Sequence, residues 1–141
     1  MINLGVAKDD RGSTAVMASN IADRRQSLDA AEKKKLGAML QGLTPFITIR
    51  HTLPMQYVVA FLLVALEEGK GVVEYSKQAG VSQSVMSRHL LDLGDKDRLG
   101  GPGYGLVTMK QDPTNLRRRP VVLTDKGRAI AGAIIRAMGS A

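Results

Sequence analysis

The segment from Val72 to Leu93 restricts the possible folds more than any other part of the chain. It reads as a short helical stretch, Val72 to Ala79, then Gly80, then a second helix from Ser82 through Leu93. Ser82 offers the short side-chain oxygen that caps a helix N-terminus. Glycine takes positive φ without the Cβ clash that bars other residues, so Gly80 lets the chain turn sharply between the two helices. Short helices joined by a tight glycine-containing turn are what helix-turn-helix geometry requires. The second helix sorts its residues by face. Val85, Leu90 and Leu93, with Met86, mark a side to be buried, and Gln83, Ser84, Ser87 and Arg88 lie mainly on the other.

Around this segment the chain divides into an arm and one domain. Residues 1–26 mix Gly, Ser, Asn, Asp and Arg without sustained periodicity and read as a flexible N-terminal arm. Residues 27–141 read as the domain, opening with a helix over 27–43. Ser27 and Asp29 are candidate caps there, Glu32 completes a capping box with Asp29, and Leu36, Met39, Leu40 and Leu43 repeat at helical spacing. Lys33, Lys34 and Lys35 form its solvated face, and Gly42 and Pro45 are expected to close it. A second helix starts at Thr52-Leu53-Pro54 and should run to Glu68, stopping at Gly69-Lys70-Gly71. It is apolar on nearly all sides (Tyr57, Val58, Phe61, Leu62, Val64, Leu66), as a central helix must be. Past the helix-turn-helix lies a glycine-rich loop over residues 94–105. Leu106 to Gln111 and Arg118 to Leu123 then read as strands, joined by a hairpin tip at Asp112-Pro113-Thr114-Asn115-Leu116-Arg117. Pro120 cannot donate a ladder hydrogen bond, so its strand should be an edge or irregular. Thr124 caps a final helix over 125–138, with Ile130, Ile134 and Met138 on its apolar side.

Composition narrows the function. Twenty Lys and Arg against 13 Asp and Glu give a net charge of +7, which favours a polyanionic partner, nucleic acid or an anionic membrane surface. Solubility alone can produce the same balance. There is no cysteine, which removes disulfides, thiol redox sensing and thiolate metal sites together. The most apolar stretch, Met55 to Leu66, has 12 residues and contains Gln56, too short for a membrane span. Met1 to Lys8 carry no secretory pattern, and a soluble cytoplasmic protein with no membrane partner is expected. No nucleophile–base pair, phosphate-binding glycine loop or metal constellation stands out, so neither an enzyme nor a cofactor is expected. Glu67 with Glu68, and Asp95 with Asp97, read as surface charge; His89 reads as a packed histidine and His51 as having no special role.

The order helix, helix, turn, helix, hairpin, helix is that of a winged helix-turn-helix, a mainly α fold with a small β-hairpin (α+β). Over roughly residues 51–132 the sequence resembles the MarR family of bacterial regulators. Leu53-Pro54-Met55-Gln56-Tyr57 opens the central helix, and Gly80-Val81-Ser82-Gln83-Ser84-Val85-Met86-Ser87-Arg88-His89-Leu90 makes the reading helix. Asp112-Pro113-Thr114-Asn115-Leu116-Arg117 lies at the wing tip, and Leu123-Thr124-Asp125-Lys126-Gly127-Arg128 follows the second strand. The family's wing reads Asp-Pro-x-Asp-x-Arg and reaches Leu-Thr six residues on, a spacing this chain keeps without a gap. Three departures accompany the match. Asn115 replaces an Asp and so weakens an expected wing ion pair, residues 94–103 look inserted, and only about 17 residues follow Thr124.

The resemblance implies a regulator of transcription, a repressor by the commoner family behaviour, that binds double-stranded DNA as a homodimer. The expected contacts are Ser82, Gln83, Ser84, Ser87 and Arg88 from helix 82–93 in the major groove. There, Gln pairs with adenine, Arg with guanine, and hydroxyls suit phosphates or bases. Arg117, Arg118 and Arg119, from wing 106–123, are expected in the minor groove. Spacing does not choose among the three arginines; the resemblance singles out Arg117. Both sets also fit a blander reading, as the solvated face of a helix and a solvated basic loop. Helices 27–43 and 125–138 are the candidate dimerisation elements, and the resemblance adds a small aromatic effector in a cleft between dimer and DNA-binding parts. Two other functions fit the residues: a DNA-binding replication or partition factor of a mobile element, and a winged-helix module for protein contacts.

Overall fold

A computed structural model describes residues 28–96, 99–115 and 117–139; the arm expected over 1–26 and the candidate cap Ser27 lie outside the described residues. In chain order the elements are α1 (Ala30–Ile49), α2 (Met55–Leu66), α3 (Val72–Ala79), α4 (Gln83–Leu93), β1 (Val107–Met109), β2 (Val121–Leu123) and α5 (Asp125–Gly139). Asp29 caps α1 through the reciprocal pair its spacing to Glu32 suggests. The Asp29 Oδ1 accepts from the Glu32 N–H at 2.8 Å, and the Glu32 Oε2 accepts from the Asp29 N–H at 2.9 Å.

The helix does not close at Gly42 and Pro45 but runs through both to Ile49. Proline deletes one intrahelical hydrogen bond, a local loss that packing further along can offset. That packing comes from Phe46, which is buried and meets Phe61 edge-on at a centroid distance of 5.6 Å. Gly42 is a contact glycine, not a stop signal. A Cβ there would stand 2.9 Å from both Cγ and Sδ of Met138, so its bare backbone lets α1 lie close against α5.

The central helix α2 buries Val58, Ala60, Phe61, Leu63 and Val64. It ends at Leu66, two residues before the expected stop, where Glu67 leaves helical geometry at φ −144°, ψ 82°. Its apolar surround is incomplete: Leu66 is 73% exposed, with Leu62 beside it at 36%. The main core gathers Phe61, Tyr75, Met86, Leu90, Leu93, Leu106, Val107 and Val121, all with almost no solvent exposure. Burying each large apolar side chain contributes about 2 kcal/mol, so α2, the helix-turn-helix and the strands are stabilised as one unit.

Gly80 takes φ 72°, ψ 30° at the end of α3, the left-handed conformation the turn demands. The Val81 N–H then donates to the Ser76 carbonyl at 3.1 Å. Both strands are shorter than their sequence pattern, three residues each, paired antiparallel with Val107 opposite Leu123 and Met109 opposite Val121. Pro120 falls just outside β2, where its carbonyl still accepts from the Lys110 N–H at 2.9 Å. The glycine-rich segment folds back on the end of α4. The Gly103 N–H bonds the Asp95 carbonyl, that of Gly105 bonds Gly94 and that of Leu106 bonds Leu93, at 2.7 to 2.9 Å. A Cβ on Gly103 would lie 2.0 Å from the Gly94 carbonyl oxygen, so glycine alone permits this approach.

Candidate nucleic-acid interface

Helix α4 presents a sorted surface. Met86, Leu90 and Leu93 are buried, while Gln83, Ser84 and Arg88 are exposed and Ser87 is half-buried. Val85, expected on the buried side, is only half-buried. Ser82 serves the helix first: its Oγ accepts from the Val85 N–H at 3.2 Å and lies 3.2 Å from the Ser84 Oγ. Among the described residues the Arg88 side chain has no hydrogen-bond or ion-pair partner, leaving a full set of donors at the surface.

His89 is packed, as its sequence context suggests, and stands edge-on to the Tyr57 ring at 5.2 Å. Burial, reinforced by the neighbouring Arg88 charge, pushes its pKa down, so at neutral pH it is an uncharged ring and not a cation for phosphate. Beyond Tyr57, whose hydroxyl donates to Asp92, a cleft of about 320 Å³ opens between the α1–α2 turn and the glycine-rich segment. Arg50, Thr52, Tyr57 and Tyr104 line it, and the Arg50 guanidinium donates to the Tyr104 hydroxyl at 3.0 Å.

The wing tip is built on nested turns. The Asp112 carboxylate accepts from both the Thr114 hydroxyl at 2.7 Å and the Thr114 N–H at 2.9 Å, which holds its pKa below the usual carboxylate range. Asn115, where the resembling family has Asp, uses its amide oxygen to accept from the Arg117 N–H at 3.1 Å. The ion pair at the tip is instead a loose one between Asp112 and Arg118, at 4.0 Å.

The structure separates three arginines that spacing could not. Arg118, also exposed, reaches back along the surface and donates from Nη2 to the Gly69 carbonyl at 3.0 Å. Arg117 and Arg119 are exposed, and among the described residues their side chains have no hydrogen-bond or ion-pair partner.

Glu68 is at the surface, as its sequence position suggests, but it is engaged by distant partners. Its carboxylate accepts from the Leu123 N–H at 2.8 Å and receives both terminal nitrogens of Arg128, at 2.9 and 3.1 Å. The Leu123 bond, helped by Arg128, lowers its pKa although burial works the other way. No local signal in the sequence points to partners 55 and 60 residues away.

Among the described residues there is no cluster of three or more His, Cys, Asp or Glu side chains able to hold a metal, and no helix is long and apolar enough to cross a membrane.

A helix-turn-helix followed by a two-stranded hairpin and a returning helix defines a winged helix-turn-helix protein. Solved structures agree, and the resemblance read from the motifs extends to three dimensions: this is the fold of MarR-family transcriptional regulators. A MarR-like transcriptional regulator from Thermotoga maritima is 26% identical over 81% of this chain and 78% of that one, with a TM-score of 0.57. A second transcriptional regulator from Thermotoga maritima is 18% identical, covering 92% of this chain and 75% of that one at a TM-score of 0.56. The transcriptional repressor CouR, in a structure bound to a 23-mer DNA duplex, is 22% identical over 79% of this chain and 71% of its own, TM-score 0.52. No family model and no curated protein matches the sequence.

Proposed function

We propose that this protein is a transcriptional regulator that binds double-stranded DNA in a sequence-specific manner, as a homodimer. The observation that carries this reading is the division of α4: its inner face is locked into the core, and its outer face offers Gln83, Ser84 and Arg88 to whatever approaches. A rigid helix with outward Gln and Arg suits the major groove, where each base pair presents its own pattern of donors and acceptors. Ser87 can join from the edge of that face, and Ser82, while capping α4, can turn its hydroxyl proton to a phosphate. The wing carries Arg117 and Arg119 to the minor groove, whose negative potential favours arginine; Arg118 supports the wing from behind. That CouR, of the same fold, has been captured on a duplex favours this partner.

Dimerisation is supported by apolar surface on the two long helices. On α1, Leu36, Met39, Leu40 and Ile47 are each more than 40% exposed, and Ile135 and Met138 on α5 are likewise uncovered. Side chains spaced along one helical face in this way mark a contact surface. A dimer would set the two reading helices about one helical turn of DNA apart, on a pseudo-palindrome. Occupying such a site blocks transcription, so repression is the simplest mode of action. The cleft beside Arg50, Tyr57 and Tyr104 suits a small aromatic acid, with rings to stack on and a guanidinium for a carboxylate.

Selection of random duplexes by the purified protein near physiological salt tests the reading. Enrichment of an inverted repeat is the expected outcome. Salt-sensitive binding to all sequences alike would remove specific regulation.

A further inference from the structure

We propose that Glu68 is a positioning residue for DNA recognition: its single carboxylate ties the root of the wing and the start of α5 to the end of the central helix. The proposal rests on the DNA-binding reading above and adds a coupling to it. Glu68 lies just past α2. Its Oε1 holds the N–H of Leu123, the last residue of β2, at 2.8 Å, and both carboxylate oxygens hold Arg128, in the first turns of α5, in a two-pronged pair. Paired bonds of this kind fix orientation as well as distance.

The residues that follow continue the attachment. The Gly69 N–H donates to the Val121 carbonyl at 2.8 Å, and the Val121 N–H donates to the Lys70 carbonyl at 2.9 Å. The Arg118 guanidinium closes on the Gly69 carbonyl from the wing side. The turn between α2 and α3 therefore runs along β2 much as a further strand would, with Glu68 at its head.

These backbone bonds hold the wing to this turn. Glu68 also reaches α5, which the start of the wing already meets through Thr124 and Gly127; this is the helix that packs along α1 and carries part of the apolar surface assigned to the dimer. A shift of α5 relative to α2 would pull on the same carboxylate that seats Leu123. The angle at which the wing offers Arg117 and Arg119 is thereby linked to the placement of the long helices.

Salt titration of binding and hydroxyl-radical footprinting, on a duplex from the selected pool, test this with Glu68→Ala, Glu68→Gln and the double variant Arg117→Ala/Arg119→Ala. Loss of two phosphate-neutralising arginines should lower the slope of log affinity against log salt by about 2. Glu68→Ala should lower it comparably and lose the flanking, wing-dependent protections while keeping those of α4. Glu68→Gln, which still accepts from Leu123 but lacks the charge for Arg128, should fall between. If Glu68→Ala keeps the parent's slope and footprint, the proposal is overturned. It is overturned equally if both Glu68 variants lose α4 and wing protections together in step with a lowered melting temperature, which marks a role in stability alone. Failure of the parent to bind any duplex would instead remove the DNA-binding reading, and an unchanged slope in the arginine double variant would remove the wing assignment.

Discussion

Helix α4 and the wing, the two parts that the proposed function brings to DNA, are held in place by different means. Helix α4 is fixed from within: Ser82 caps it, Gly80 sets its entry, and Met86, Leu90 and Leu93 bolt it to the core, all within residues 80–93. The wing has only three residues in each strand; Val107, Val121 and Leu123 root it in the core, and distant groups hold it as well: Glu68, Gly69 and Lys70 from the turn after α2. A self-sufficient element presents a constant surface, and a borrowed one can be moved by whatever moves its lender. On the proposed function, sequence readout falls to α4 and adjustable affinity to the wing.

Changes at the surface of one side of this contrast should leave the other standing, but Leu90→Ala, which reaches the core that both share, should have the largest effect. Truncating this fully buried leucine is expected to cost about 2–5 kcal/mol, lowering the midpoint of denaturant unfolding for the whole domain, because α4 shares its core with the strands. Arg88→Ala comes next. It should relax base preference at one position of the site by about 1–3 kcal/mol, measured by competition between matched and mismatched duplexes. Arg117→Ala should weaken all duplexes alike with a shallower salt dependence, and a shift in base preference there would contradict the division of labour. Ser82→Ala, which removes the cap of α4, should lower stability by about 1 kcal/mol on thermal unfolding and leave the salt slope alone.

The smallest effects are those of pH, and they separate the two regions. His89 has a folded pKa below its unfolded value near 6.5, so the unfolded chain takes up protons first. Stability around α4 should hold above pH 6.5 and fall as the pH drops through the folded pKa, a loss that His89→Gln should remove. Glu68 is also depressed, from 4.5, so the wing root should keep its contribution until a lower window and lose it as the pH falls through the folded pKa of that carboxylate. Amide exchange at Leu123 as a function of pH would locate that second step, and its absence would argue against the Glu68 contact in solution.

The same contrast explains what could be read from the sequence. The Asp29 and Ser82 caps, the Gly80 turn and the face pattern of α4 depend on residues within a few positions of one another, and periodicity and capping rules reach that far. Pro45 misled because its local rule yields to Phe46 meeting Phe61, a contact across two helices. Arg118 could not be distinguished from its neighbours because its partner, Gly69, lies 49 residues back. Glu68 was invisible for the same reason. Among α1's apolar residues, helical spacing marked one face but could not tell core from exposed contact surface, since both are apolar for the same physical reason.

The close seat of Gly103 on Gly94 has a practical side. The glycine-rich segment is anchored at its root, where backbone meets backbone and the chain passes straight into the buried Leu106 and Val107. Further along, the Leu99 side chain is 86% exposed, and Gly100, at φ 86°, would meet no atom within 4 Å if it carried a Cβ. A fluorescent label carried on the exposed side chain at position 99 should therefore cost the hairpin little, whereas one methyl group at Gly103 would be felt throughout it. That position is the place to fit a reporter for the cleft, because Leu99 forms part of its rim.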